Sequence, residues 1–376
     1  MDTNKASIAD TGIRLFGQKD AIARVDKAVR RANSGLMSRQ GKPLMSFLFL
    51  GPSGVGKTES AKALAEILYG DRNRVARFNA NECAGEGGQF KAFGPPRGYA
   101  GSDKGGLLTQ QVKAFEGRCV ILVDEIEKGT QEIFDGLMAA LDEGYMEDAS
   151  FGERIPVTGA AIVMTSNILA GTDMAGWPDE KVRMAIAGAP VQNHKTGLSS
   201  NPFRMEFLGR IQEVIQFASL EDTDIALIIG HKYRNETAVK IAANYHLLII
   251  DLSPKALGAL CALAGGAKFG VRQVDNVITT AIIDRIIDYP NLPTDTRCSY
   301  IWDFDEEAGF TIENLHQRGC KFLAEQREES RADTEVIMAE LRENVAKMAL
   351  EYIRAQAEKI AVSEGKNVLT HRMIIN

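Results

Sequence analysis

The sequence predicts an α/β protein: a large domain on a mostly parallel sheet, a smaller and mostly helical α/β domain, and a C-terminal helical extension. Three observations carry this. Between residues 45 and about 170, short apolar runs alternate with helix-period segments, the pattern of a parallel sheet covered by helices. Near Leu220 the pattern changes to longer helical stretches with few strands. From residue 323 to 364 there is no proline or glycine, and apolar residues recur at helical spacing among charges. A chain of 376 residues, 45% hydrophobic and 25% charged, has length for about two domains and excludes collagen-like or wholly disordered classes.

The strands of the first domain are expected at residues 46–50, 75–78, 119–123 and 161–165, each an apolar run of strand length. Residues 59–69 and 132–141 have helical spacing between them. Residues 170–202 are rich in Gly, Pro and polar residues without sustained periodicity, and read as a long surface excursion. In the second domain, helix is expected over 222–242, a strand over 246–252, and a helix starting at Ser253-Pro254, where Ser caps and Pro suits the first turn. Residues 271–287 read as helix before Tyr289-Pro290, and 299–304 with 309–312 as a closing strand pair. In the extension, Met338, Leu341, Val345, Met348, Tyr352 and Ala355 follow a 3,4 spacing, with Gly365 as the stop. That helix either docks a partner through 323–364 or packs back on its own small domain.

Composition narrows the setting. Acidic residues outnumber basic ones 50 to 44, a formal charge of −6, which argues against a general nucleic-acid binder. Cys83, Cys119, Cys261, Cys298 and Cys320 are odd in number and never spaced as C-x-x-C, so no disulfide framework or zinc ribbon is expected. The five histidines are too scattered to suggest a metal site. The opening Met1-Asp2-Thr3-Asn4-Lys5 has no apolar signal core, and no run approaches the ~18 apolar residues of a membrane span. A cytoplasmic location is expected.

The chemistry is concentrated in two segments. Gly51-Pro52-Ser53-Gly54-Val55-Gly56-Lys57-Thr58 matches G-x-x-x-x-G-K-[ST] between a predicted strand and a predicted helix. Glycines let backbone N–H groups curl around phosphate oxygens, and the helix start adds its positive end. Lys57 would reach the β/γ-phosphates and Thr58 would place a hydroxyl on Mg²⁺. The run Cys119-Val120-Ile121-Leu122-Val123-Asp124-Glu125 then delivers two carboxylates at a strand end: Asp124 to hold the metal through water, Glu125 to activate a water as general base.

Further blocks follow in order. They are Phe16-Gly17-Gln18, Gly35-Leu36, Gly94-Pro95-Pro96-Arg97-Gly98-Tyr99-Ala100-Gly101, Asp124-Glu125-Ile126-Glu127-Lys128, Met164-Thr165-Ser166-Asn167 and Phe203-Arg204-Met205-Glu206-Phe207-Leu208-Gly209-Arg210. Together with the phosphate loop they resemble the second ATPase module of the Clp-type AAA+ unfoldases and disaggregases, as in ClpA and ClpB, over residues 16–304. The resemblance implies an N-terminal tail at 1–15, an AAA+ P-loop parallel-sheet large domain at 16–219, an AAA+ small lid domain at 220–316, and a helical extension and tail at 317–376. It implies ATP and Mg²⁺ as cofactors and hydrolysis of ATP to ADP and phosphate in a homo-oligomeric, hexameric ring that remodels polypeptide.

Residue roles are implied by position. Asn167 resembles the sensor that orients the attacking water, and Arg210 the finger that completes a neighbouring subunit's site; Arg204 is a second basic contact. Arg272 corresponds to the small-domain sensor arginine, with Val271 where the family has Ala. Phe16 and Gly17, within 13–18, would line the adenine pocket. Gly98, Tyr99, Ala100 and Gly101 resemble the pore loop that grips an extended polypeptide, and a second, polar pore loop is expected around 147–153. Two departures stand out. Only 15 residues precede the match, so substrate choice is expected to come from elsewhere. Thr196-Gly197-Leu198 replaces the apolar protease-docking tripeptide, so no protease partner is expected. The competing reading is an AAA+ motor or loader on nucleic acid, or part of a secretion or mobile-element complex, with Lys91, Arg97 and Lys104 beside Tyr99. A non-hydrolysing scaffold is opposed by the intact Lys57, Glu125, Asn167 and Arg210.

Overall fold

Residues 7–8, 11, 15–34, 41–83, 87–192, 199–265, 271–289, 292–293 and 298–318 are described by the computed structural model. The chain divides into two units, broken between Leu220 and Glu221. The helix expected over 323–364, the tripeptide at 196–198, and Gly35, Leu36 and Ile13 lie outside the described residues.

In the first unit, α1 (Lys19–Asn33) precedes β1 (Met45–Leu50), and the phosphate-loop segment leads into α2 (Lys57–Tyr69). Next come β2 (Val75–Asn79), α3 (Gln89–Phe93), α4 (Leu107–Ala114), β3 (Val120–Asp124) and α5 (Gln131–Glu143). A hairpin, β4 (Tyr145–Asp148) and β5 (Glu153–Pro156), precedes β6 (Ala161–Ser166). Then follow α6 (Asp179–Gly188), the short pair β7 (Val191–Gln192) and β8 (Ser199–Ser200), α7 (Met205–Arg210) and β9 (Glu213–Gln216).

The main sheet runs β2-β3-β6-β1-β9, with every pairing parallel. Every residue of β1, β3 and β6 is buried, as expected of parallel strands covered on both faces, and this is why they read as continuous apolar runs. The edge strands β2 and β9 have exposed or half-buried positions. Phe134 of α5 meets Phe203 and Phe207 edge-on at 5.5 and 5.0 Å, which fixes the start of α7 against α5.

One expectation is corrected here. Residues 170–202 are no bare excursion: α6 lies within them, entered from Pro178 with Asp179 and Glu180 in its first turn, and Met174 and Ile186 join the core. With Ile186 its one fully buried residue, α6 leaves little periodicity to read. Residues 147–153, where the second, polar pore loop is expected, are the ends of β4 and β5 with the turn between them, and Phe151 at that turn is 38% exposed.

The second unit opens with α8 (Asp222–Lys232), held by a reciprocal capping box between Glu221 and Asp224. A π-helical turn, Tyr233–Thr237, joins it to α9 (Ala238–Tyr245). Then β10 (Leu248–Leu252) leads to α10 (Pro254–Leu263), whose N-cap Ser253 accepts from Ala256 N at 3.1 Å. Next, α11 (Arg272–Ile278) passes through a second π turn into α12 (Asp284–Ile287), and β11 (Ser299–Asp305) and β12 (Gly309–Asn314) close the unit. Its sheet is ordered β10-β11-β12, parallel then antiparallel, over the fully buried Trp302 and Tyr233. Among the described residues no helix is long and apolar enough to cross a membrane.

Candidate functional site

The phosphate loop hangs between a buried strand and a helix start. Leu50 O accepts from Phe217 N at 2.7 Å and Ser166 O from Gly51 N at 3.2 Å, which fixes the loop's entry to β9 and β6. Gly51 has φ 140°, and a Cβ there would meet Phe217 O at 2.5 Å, so only glycine fits. Gly54 and Gly56, at φ 76° and 101°, curl the backbone before α2 begins at Lys57. Lys57 is buried, 8% exposed, and its Nζ donates to Gly51 O (2.5 Å), Pro52 O (2.7 Å) and Asn167 Oδ1 (2.9 Å). Asn167, at the end of β6, is thus brought to Lys57 across 110 residues of chain.

At the end of β3, Asp124 is buried, 6% exposed. Its Oδ1 accepts from Thr165 Oγ1 at 3.1 Å and from Thr58 Oγ1 at 3.4 Å, while Oδ2 pairs with Arg77 Nε at 2.8 Å. Glu125 takes a left-handed conformation, φ 53° and ψ 48°, which turns the chain sharply off the strand; its N–H donates to Thr165 Oγ1 at 3.1 Å. That geometry costs a non-glycine residue about 1 kcal/mol, and such strain collects at functional sites. Glu125 Oε2 pairs with Lys128 Nζ at 2.8 Å, and the buried Glu127 accepts from Asn167 N at 3.2 Å. Thr165, Arg77, Lys128 and Glu127 are therefore part of the site, although sequence reading gave them no role. Thr165 and Glu127 stood inside recognisable blocks; Arg77 carried no signal.

Positive-φ glycines before a helix start, with a lysine among carbonyls, suit a nucleotide's phosphates. Among the described residues no group of three or more His, Cys, Asp or Glu could hold a metal. Thr58 and Asp124 do offer one hydroxyl and one carboxylate side by side, the sparse oxygen set that suits Mg²⁺ bound together with phosphates.

Other expected residues lie elsewhere. Arg210, the last residue of α7, is held by Asp142 of α5 and donates to Glu206 O at 2.7 Å; Asp142, with Glu206, holds its guanidinium above the usual arginine range. Arg204 is exposed at the N-cap of α7. Gly17 is exposed at φ 69° and Phe16 half-buried; beside them Gln18 is buried and its amide clamps Ala218, donating to O and accepting from N at 2.9 Å each. Arg272 heads α11 in the second unit, and its side chain lies outside the described residues. Tyr99 is 61% exposed between Gly98 and Gly101, at φ 94° and 86°, with its ring 5.7 Å from that of Phe90.

Comparison with known proteins gives a consistent result. Residues 42–214 match the family described as AAA domain (Cdc48 subfamily). The chain is 35% identical over 265 residues to Chaperone protein ClpB 2 of Thermosynechococcus vestitus, covering 70% of this chain and 29% of that protein. It is 34% identical over 277 residues to Chaperone protein ClpB of Rhodopseudomonas palustris, covering 74% and 30%. It is also 34% identical over 279 residues to the ATP-dependent Clp protease ATP-binding subunit ClpC of Staphylococcus aureus, covering 73% and 33%. The chain thus spans about a third of the length of the curated relatives it matches.

Proposed function

The chain is a Clp-type AAA+ ATPase, and on that premise we propose that it hydrolyses ATP in a ring of identical subunits to draw polypeptide past Tyr99. The observation that carries the reading is one folding unit holding both the Lys57/Thr58/Asp124/Glu125/Asn167 cluster and an exposed aromatic on a glycine-flanked loop.

The nucleotide's phosphates bind to the loop amides of Ser53 to Gly56, and Lys57 exchanges its carbonyl partners for phosphate oxygens. Thr58 and, through water, Asp124 would hold Mg²⁺, which would neutralise phosphate charge. Glu125 takes the proton of the attacking water, which Asn167 orients; both stand at strand ends on the same edge of the sheet as Lys57. Arg210 serves a neighbouring subunit's nucleotide, and its ion pair with Asp142 holds the guanidinium in place until the ring forms. Phe16 and Gly17 border the base. Loss of the γ-phosphate moves the Tyr99 loop.

The test is a trap: Glu125→Gln, with and without Tyr99→Ala, is purified in ATP from its source cell and the retained molecules are identified. Polypeptide held only when Tyr99 is present supports the reading. Nucleic acid, or polypeptide held equally by both variants, refutes it.

A further inference from the structure

Asp148, the last residue of β4, is fully buried, yet it lies in none of the nucleotide contacts. Its Oδ2 accepts from Gly106 N (3.0 Å), Thr109 Oγ1 (2.5 Å) and Gln110 Nε2 (2.9 Å), and its Oδ1 from Ser150 N (3.0 Å). The first three donors stand where the Tyr99 loop runs into α4, and the fourth is in the β4–β5 turn. The other end of the loop is tied to the same turn. Ala149 N donates to Phe93 O and Ser150 Oγ to Pro95 O, both at 2.8 Å, and Arg97 donates to Phe151 O at 2.7 Å.

The junction has no slack. A Cβ on Gly94 would stand 2.4 Å from Ser150 Oγ, and one on Gly106 2.3 Å from Ala92 O. Between these ends the loop itself is held by turn hydrogen bonds such as Ser102 N to Tyr99 O at 3.1 Å. Burial alone would raise the carboxyl's pKa; the hydrogen bonds from Thr109, Gly106, Gln110 and Ser150 more than offset it and hold it below the ordinary value. The four bonds are therefore charge-assisted, the stronger kind.

Resting on the reading of Tyr99 as the side chain that meets polypeptide, we propose that Asp148 is a positioning residue: it ties the α4 end of the Tyr99 loop to the β4–β5 turn, whose residues Ala149, Ser150 and Phe151 hold the other end, so that loop and turn shift as one body and the Tyr99 ring keeps a fixed reach. Phe151, exposed on that turn, travels with Tyr99.

Two measurements on the full chain test this, with Asp148→Ala and the gentler Asp148→Asn, which keeps one acceptor oxygen. The first is amide hydrogen exchange. Losing charge-assisted bonds at the splice should speed exchange over residues 96–106 and at Ser150 by about tenfold or more in Asp148→Ala, and less in Asp148→Asn, with β1 unchanged. The second is ATP turnover titrated with casein as an unfolded-polypeptide probe. The half-saturating casein concentration should rise about fivefold while the KM for ATP stays within about twofold, a split that general loosening of the fold would not give. Unchanged exchange in both variants overturns the proposal, as does acceleration spread equally through β1. Parent-like half-saturation in Asp148→Ala beside a defective Tyr99→Ala also overturns it. If Tyr99→Ala or the parent shows no dependence on casein, the reading of Tyr99 fails instead, and the exchange result still decides whether Asp148 splices the loops.

Discussion

Replacing Glu125 by Gln separates hydrolysis from every other property of the chain. The folded state should barely notice. The Glu125–Lys128 pair at 2.8 Å joins side chains that are 22% and 36% exposed, so screening limits it to at most about 0.5–1 kcal/mol, and the amide oxygen of Gln can still accept from Lys128. The left-handed backbone at φ 53° strains Gln as much as Glu, so that penalty cancels. A melting shift under about 4 °C follows. Nucleotide affinity should stay within a few-fold, because the contacts of Lys57 and Thr58 do not include Glu125. The rate is another matter: a positioned general base is worth about 10²–10⁴, or roughly 3–5 kcal/mol of barrier. Steady-state phosphate release, binding of a fluorescent ATP analogue and thermal melting on the same preparation measure all three. Turnover within about threefold of the parent would refute the base assignment. Lost binding at an unchanged melting temperature would refute the claim that Glu125 acts only after ATP is bound.

Arg210→Ala should lower turnover while leaving ADP affinity intact, and mixing it with Glu125→Gln should restore some activity, because each variant supplies what the other's interface lacks; no recovery on mixing would sink the shared-site arrangement. Asp148 has a folded pKa below the ordinary 3.8, so it contributes stability that is fully present above about pH 4 and lost as pH falls through the folded value. Asp148→Asn should therefore be less stable than the parent at pH 7 and show a shallower acid limb below about pH 4 in a melting-temperature series; parallel curves would contradict it. Burial pushes the thiol of Cys83 up to about 11 and that of Cys119 up to about 12, so neither should react with iodoacetamide at pH 8 until the chain is unfolded. Labelling of native Cys119 as fast as the half-buried Cys298 would show that the strand opens readily.

What the sequence made legible was local. The strands β1, β3 and β6 were read within a residue or two because burial on both faces makes them nearly continuous apolar runs, and the edge strand β2 was read from its alternation of buried Ala76 and Phe78 with less buried neighbours. Strand β9 was missed: Glu213-Val214-Ile215-Gln216 has two apolar residues, and it is a strand because β1 offers it an edge. The same divide runs through the site. Lys57, Thr58, Asp124 and Glu125 are each marked by a short motif, whereas Thr165 reaches Asp124 only through the register that sets Val123 beside Met164. Arg77 reaches it through the pairing of β2 with β3. Asp148 is the extreme case, since its donors come from positions 106, 109, 110 and 150 and no pattern in the chain announces them.

The order of the main sheet also dictates a hazard of birth. Strand β1 is the first of its strands to leave the ribosome, yet both its neighbours, β6 and β9, are encoded far downstream, beginning at Ala161 and Glu213. At roughly 5–20 residues per second, the segment Met45-Ser46-Phe47-Leu48-Phe49-Leu50 waits of order ten seconds with both backbone edges open. It is uncharged, rich in large apolar side chains and free of proline, the composition that pairs readily with other nascent copies. A chain stalled before Glu213 keeps the edge of β1 that faces β9 open.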